Sequence, residues 1–373
     1  ENSGYDYDTK VGRDGAEYTF EDWLHGTNGT ARVTRTASGT ITSTVYTEDP
    51  VPGNHVYLTI DIQLQEAVER ILETGIYELQ LKRDEDNAKY TMEGKLDEVR
   101  EDIQGGAIVV VDVKTGEPLA IASYPTFDLS SIIEDYSDLL EAENNPLFNR
   151  ALNGAYEPGS TFKPCTAIAG LTENIINTET QIECTGLFTK YADQGYAPAC
   201  WIYTQTDGQL THGYDNVTEA IKDSCNVFFY TVADNLGIRK LMEYAKNFGL
   251  GESTGIELSE TTGNMANPDN HLNYDVDSWV DGDTVQAGIG QSDSMFTPLQ
   301  LAEYCAAIAN GGTRHSAAIL KSVRSYDYSR QLYQKETEAL STVDSADYNW
   351  AAVQRGMYLM ANDITSSSST VYY

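Results

Sequence analysis

The stretch YEPGSTFKP, Tyr156 to Pro164, sets a serine and, three residues on, a lysine directly behind a Pro-Gly turn. At that spacing two helical side chains share a face. A serine hydroxyl is a weak nucleophile at neutral pH unless a neighbour takes its proton, and an amine does so only while it is neutral. The run that follows, CTAIAGLTENI, is apolar enough for a buried helix, which places Lys163 at the entrance to a core, where burial favours the uncharged amine. Ser160 and Lys163 are therefore a candidate nucleophile and base. The ordinary alternative is a serine that caps a helix.

Further along, Ser224-Cys225-Asn226 interrupts VTEAIKDSCNVFFYTVADNLG, which otherwise reads as an apolar helix. A hydroxyl and an amide beside Phe228, Phe229 and Tyr230 have no packing reason to be there; the alternative is a polar turn between helices. Before Ser160, GGAIVVVDV and PLAIASYP flank the turn KTGE and predict a β hairpin. Its first strand is nearly all apolar, as for a strand covered on both faces, and the helix behind Ser160 is the first candidate to cover it. Lys114-Thr115-Gly116 is the turn itself, with Gly116 supplying backbone freedom.

The first ~50 residues alternate in TARVTRTASGTITSTVYTE, which predicts an exposed ribbon broken at Ser38-Gly39. After VPGN, a short strand HVYLTI leads into an amphipathic helix, DIQLQEAVERILETGIYELQ, capped by Asp61. Lys82 to Asp102 is charge-rich and reads as a solvated helical excursion. From Asn216 the pattern is largely helical, with runs closing near Gly237, Gly249 and Gly311, and a last helix between Leu340 and Met360.

The chain has 373 residues, enough for a large core and more than one domain. Its formal charge of -33, from 24 Lys+Arg against 57 Asp+Glu, argues against a nucleic-acid partner. A hydrophobic fraction of 40% with 25 tyrosines argues for a folded body under that charge. No apolar run approaches a membrane span, so the chain as given is expected to be soluble. Five scattered cysteines make no disulfide framework. Cys184 and Cys200 flank a loop with His212 shortly after, which permits a local disulfide or part of a zinc site; the spacing matches no short-loop zinc motif, so unpaired thiols are the first reading and zinc the second.

Taken together, Ser160-x-x-Lys163, the later Ser224-x-Asn226, and the stretches VPGNHVYLTIDIQLQ, GGAIVVVDVKTGEPLAIASYP, NRALNGAYEPGSTFKP, DSCNVFFY and GIGQSDSMFTPLQLAEYCAAIANGG resemble, in order, the class B penicillin-binding proteins, the D,D-transpeptidases that cross-link peptidoglycan. The resemblance implies an α+β fold of the penicillin-binding-protein/serine β-lactamase type, an antiparallel sheet packed between helices. Residues 1-52 would end a β-rich pedestal, the dimerisation domain, and 53-373 would form the transpeptidase domain. The family's third motif, Lys-Thr-Gly, follows the Ser-x-Asn element; Lys114-Thr115-Gly116 precedes Ser160 and is rejected on that ground. No other Lys-Thr-Gly occurs before Tyr373, so the chain is expected to be C-terminally truncated and to lack one oxyanion donor, with the fragment itself expected to be inactive.

Carried over residue by residue, the resemblance implies that Ser160 attacks the penultimate D-alanine of a stem peptide and Lys163 takes its proton. Ser224 would relay a proton to the leaving amine, and Asn226 would hold substrate and Lys163. β-Lactams would acylate the same serine. No cofactor is implied, structural zinc being the alternative. The family also implies an N-terminal membrane anchor upstream, placement on the extracytoplasmic face of the bacterial cytoplasmic membrane, and glycosyltransferase and morphogenesis partners. The rival readings are a β-lactamase or β-lactam sensor of the same superfamily, and a non-enzymatic cell-wall scaffold.

Overall fold

A computed structural model of the chain describes residues 10–269 and 279–366. The terminal Ser-rich run after Ser366 and the first residues of the expected pedestal lie outside the described residues. Two short helices, Gly15–Thr19 and Glu21–Leu24, precede an antiparallel ribbon of Thr30–Arg35 and Ile41–Glu48, exposed along its whole length.

The helix Ile62–Met92 begins where the sequence says it should, with Asp61 Oδ1 accepting from the backbone N–H of Gln63 (2.9 Å) and Leu64 (3.1 Å). It absorbs much of the charge-rich excursion. Its apolar stripe buries Val68 and Leu72 on Ala120 and Ala122 of the hairpin Gly106–Val111/Pro118–Tyr124. Burying the two larger side chains stabilises the contact by roughly 1.5–3 kcal/mol each. Gln65 adds a clasp, accepting from Ile121 N (2.7 Å) and donating to Ile121 O (2.8 Å).

Lys114-Thr115-Gly116 is the hairpin turn: Asp112 Oδ1 accepts from the N–H of Lys114 (2.8 Å) and Thr115 (3.0 Å), and Gly116 sits at φ +73°. The helices that cover this hairpin are Ile62–Met92, Pro298–Ala309 and the short Arg150–Asn153. The expectation for the helix behind Ser160 is thereby corrected. That helix, Lys163–Thr172, is buried continuously from Lys163 to Leu171 and packs instead among Asn226–Leu236, Ile238–Asn247 and Asp347–Asn362. A segment with no polar face has nowhere else to go but the centre of a helical layer.

Two further corrections concern the second half. Thr313–His315, Leu320–Arg324, Gln331–Gln334 and Ala339–Thr342 are strands within a region that reads as largely helical. Leu320–Arg324 lies at the centre of a three-stranded antiparallel sheet, between Gln331–Gln334 and the distant His55–Leu58. Second, the run from Val217 is two helices, Val217–Lys222 and Asn226–Leu236, with Ser224 between them at φ +51°. The architecture is α+β, its antiparallel sheets small and set around a helical body. Among the described residues no helix is long and apolar enough to cross a membrane.

Candidate active site

Ser160 lies in a 3-10 turn, Gly159–Phe162, that runs directly into the buried helix Lys163–Thr172. The turn is fixed from below by Phe162, fully buried against Phe296 with ring centroids 6.1 Å apart. It is fixed from the side by the segment after Ala287: Gly159 N donates to Gly290 O (2.9 Å), Thr166 Oγ1 to Gly288 O (2.7 Å), and Tyr156 and Phe296 exchange backbone hydrogen bonds at 2.9 Å. Gly290 must be glycine, since at φ +74° a Cβ there would fall 2.2 Å from Gly159 O. Ser160 itself is exposed.

Lys163 is only 2% exposed. Its Nζ donates to Ser224 O (2.7 Å), Ser224 Oγ (2.9 Å) and Asn226 Oδ1 (2.7 Å). Burial lowers its pKa from 10.5 to about 8, opposed by the nearby thiols of Cys225 and Cys200. Two of its partners, a backbone carbonyl and an amide oxygen, accept only. The Ser224 hydroxyl can also donate, so when Lys163 is neutral its lone pair has a proton donor in place. Among the described residues no hydrogen bond joins Ser160 to Lys163; the lysine faces the Ser224 side.

The break between the two helices makes this arrangement. Ser224 N donates to Ile221 O (3.2 Å), Cys225 N to Ala220 O (2.9 Å), and Trp201 Nε1 to Asp223 O (3.0 Å). Ser224 takes the left-handed conformation that non-glycine residues adopt rarely and at a cost. Three of the four residues singled out from the sequence, Lys163, Ser224 and Asn226, are joined by hydrogen bonds, and Ser160 lies in the turn that leads directly into Lys163.

Cys184, Cys200 and His212 also converge, and Cys225 joins them: one ligand atom from each of the four lies within 4.8 Å of the others. Cys200 Sγ is 3.4 Å from His212 Nδ1. All five cysteines are unpaired. The thiol of Cys200 is pushed down and that of Cys225 up, first through hydrogen bonding with Cys184, while His212 rises to about 10 because its thiol partners outweigh burial. Beside the cluster the carboxyl of Asp215, raised to about 6 by burial, has an Oδ2 with no partner among the described residues. Three thiols and one imidazole at this separation fit a closed tetrahedral zinc site, with Asp215 as the neighbouring acceptor. Cys225 was invisible in the sequence as a ligand because it occupies the unspecified position of Ser-x-Asn.

Residues 106–371 match the penicillin binding protein transpeptidase domain and residues 1–58 the penicillin-binding protein dimerisation domain. The peptidoglycan D,D-transpeptidase MrdA of Acinetobacter baumannii is 33% identical over 319 residues, covering 84% of this chain and 42% of that protein. A chain solved in a study of how a peptidoglycan synthase complex coordinates polymerisation and crosslinking superimposes with a TM-score of 0.77 at 30% identity, covering 96% of this chain and 58% of the other. The Helicobacter pylori PBP2 solved in complex with MreC gives 0.70 at 25% identity, covering 95% and 58%. The chain spans about half the length of the curated relatives it matches, 42%, 49% and 51% of three of them.

Proposed function

The chain belongs to the penicillin-binding protein transpeptidase family, and from that premise we propose that it forms the acyl-transfer core of a peptidoglycan D,D-transpeptidase. The observation that carries the reading is the buried Lys163 amine, lowered to about 8 and held by Ser224 and Asn226. Ser160 Oγ attacks the carbonyl of the penultimate D-alanine, and its proton passes to neutral Lys163. Ser224, whose hydroxyl accepts from Lys163, hands its proton to the departing D-alanine nitrogen as the C–N bond breaks and takes a replacement from the protonated Lys163. Asn226 keeps Lys163 in register and offers its N–H to the substrate backbone. The amine of a second stem peptide then attacks the acyl-enzyme, forming the cross-link and releasing Ser160. β-Lactams acylate Ser160 by the same route.

The reading extends to place and partners. An extracytoplasmic site on the cytoplasmic membrane, with an anchor outside the segment described, suits an enzyme whose substrate is the cell wall. Of two similar structures, one comes from a study of a peptidoglycan synthase complex and the other is a complex with MreC, and they support a glycosyltransferase and a morphogenesis protein as partners. The chemistry needs no organic cofactor. We also propose a structural zinc ion held by Cys184, Cys200, His212 and Cys225, which supplies folding energy and takes no part in acyl transfer.

Intact mass after incubation with penicillin tests the function. A single adduct mapped to Ser160, absent in Ser160→Ala and slow to hydrolyse, is the expected result. Rapid turnover of penicillin would make the protein a β-lactamase. No adduct, here or on a chain carrying a later Lys-Thr-Gly strand, would leave only the scaffold reading.

A further inference from the structure

The helix Ile132–Glu141 is held by its ends and not by its face. At its entry Asp128 Oδ1 accepts from Ser130 N (2.8 Å) and Ser130 Oγ (2.7 Å), and beyond its exit the buried guanidinium of Arg150 donates to the carbonyls of Asn144 and Asn145. Between those ties no residue of the helix is buried, and among the described residues no helix or strand packs broadly against it. A helix this short is marginal in water and ordinarily owes its stability to a covered apolar face.

This helix has such a face and turns most of it outward. Ile132, Ile133, Tyr136, Leu139 and Leu140 fall within an arc of about 120°, and Glu134, Asp135, Asp138 and Glu141 lie outside it. Ile132 and Leu139 are half-buried, whereas Ile133 is 91% exposed, Tyr136 51% and Leu140 59%. Ile133, Tyr136 and Leu140 stand at i, i+3 and i+7, the spacing at which a helix presents anchors to a partner.

The surroundings are acidic. Between Lys114 and Arg150 the chain has no lysine or arginine, and Arg150 is already tied to the two carbonyls. Tyr124 and Thr126, on the segment that leads into the helix, line a cavity of about 290 Å³ together with Glu66, Glu69, Arg70 and Glu73, so carboxylates outnumber cations there as well. Whatever covers the stripe has to be apolar and positive. A second copy of this chain would set carboxylates against carboxylates, and an anionic bilayer would be repelled for the same reason.

We propose that the outward stripe of Ile132–Glu141 is a docking surface for a cationic amphipathic segment of a partner protein. The apolar side chains of that segment pack on Ile133, Tyr136 and Leu140, and its lysines or arginines meet Glu134, Asp138 and Glu141. The inference does not depend on the acyl-transfer reading.

The probe is a synthetic helical peptide of leucine and lysine with its leucines at i, i+3, i+4 and i+7, read by fluorescence anisotropy at about 0.15 M salt. One control has the same composition in an order that makes no stripe; the other keeps the stripe and replaces lysine by glutamate. The striped lysine peptide should bind in the micromolar range, at least tenfold more tightly than either control. Ile133→Asp and Leu140→Asp, both at exposed positions where substitution spares the fold, should each weaken it about tenfold. Leu210→Asp, at an exposed leucine elsewhere, should leave it unchanged, and penicillin labelling of Ser160 should be equal in all three variants. Equal binding of the striped and unstriped lysine peptides would assign the attraction to overall charge and overturn the proposal, as would no binding or binding indifferent to Ile133 and Leu140. Dimerisation in sedimentation that Ile133→Asp abolishes would make a second copy the occupant, and flotation with phosphatidylglycerol vesicles lost in that variant would make it a membrane; either overturns the proposal. So does loss of peptide binding in a chain extended at both ends to the length of its relatives, since the occupant would then be part of the same protein.

Discussion

The rate at which a β-lactam acylates Ser160 should climb with pH and level off above about 8, the value to which burial brings Lys163. An amine with an ordinary value of 10.5 is neutral in about 0.03% of molecules at pH 7, whereas one titrating at about 8 is neutral in about 9%. Burial therefore raises the population of competent base roughly 300-fold, equivalent to about 3.4 kcal/mol. The assay is the second-order rate constant for a fluorescent penicillin from pH 6 to 9.5, corrected for its spontaneous hydrolysis. A tenfold rise per pH unit below about 7.5, then a plateau, is expected. A flat profile, or one still rising log-linearly above pH 9, would refute the assignment of Lys163 as base. The same shift has a stability consequence. Because the folded value is the lower one, the unfolded chain binds a proton that the folded chain lacks between about 8 and 10.5. Stability contributed by this group thus rises with pH across that window, by about 1.4 kcal/mol between pH 7 and 9. The stability difference between the parent and Lys163→Met should move by that amount over the same interval.

Gly290→Ala should cost roughly 2 kcal/mol or more and slow acylation, because its Cβ strikes Gly159 O beneath the nucleophile; Gly39→Ala, at φ +87° with nothing near, should lose about 1 kcal/mol and acylate normally. Ser224→Gly should be more stable than Ser224→Ala by about 1 kcal/mol, as measured by urea unfolding, since glycine accepts φ +51°, while both lose the proton relay alike. Protein purified without chelator should hold one equivalent of zinc by metal analysis, and Cys200→Ser should lower both zinc content and melting temperature; full stability without metal would remove the zinc assignment.

The chemistry was legible wherever it is local. Ser160 and Lys163 are three residues apart, and the turn signal and the apolar run that frame them are contiguous with them. The Asp61 cap, the hairpin at Asp112 to Gly116, and the glycine stops at Gly237, Gly249 and Gly311 are equally short-range. What failed was long-range. The strand Leu320–Arg324 is defined by pairing with His55–Leu58 across most of the chain, and nothing within five residues of it announces that partner. The helix behind Ser160 looked ready to cover the hairpin because it is apolar on every side, yet that very property drew it into the helical body. The break at Ser224 hid for a different reason: helices flank it closely on both sides, and the left-handed turn carries no glycine or proline to mark it.

That break explains why two separate chemistries meet. Three consecutive residues leave the turn in alternating directions, Ser224 and Asn226 toward Lys163, Cys225 toward Cys184, Cys200 and His212. A regular helix would send neighbouring side chains only about 100° apart and could not divide them this way. The strained backbone at Ser224 is thus what allows the middle residue to anchor in the cysteine cluster while its neighbours hold the amine. The anchor and the amine are linked through one tripeptide, so a shift of Cys225 moves both Ser224 and Asn226. Trp201, which follows Cys200 directly, bonds the carbonyl of Asp223 just before the break and lines a cleft beside Asn226. The cysteine cluster, the hydrogen bonds of Lys163 and the Trp201 wall of the cleft therefore share a short run of backbone, and the polar residues that looked misplaced in an apolar helix are the ones for which the helix is interrupted.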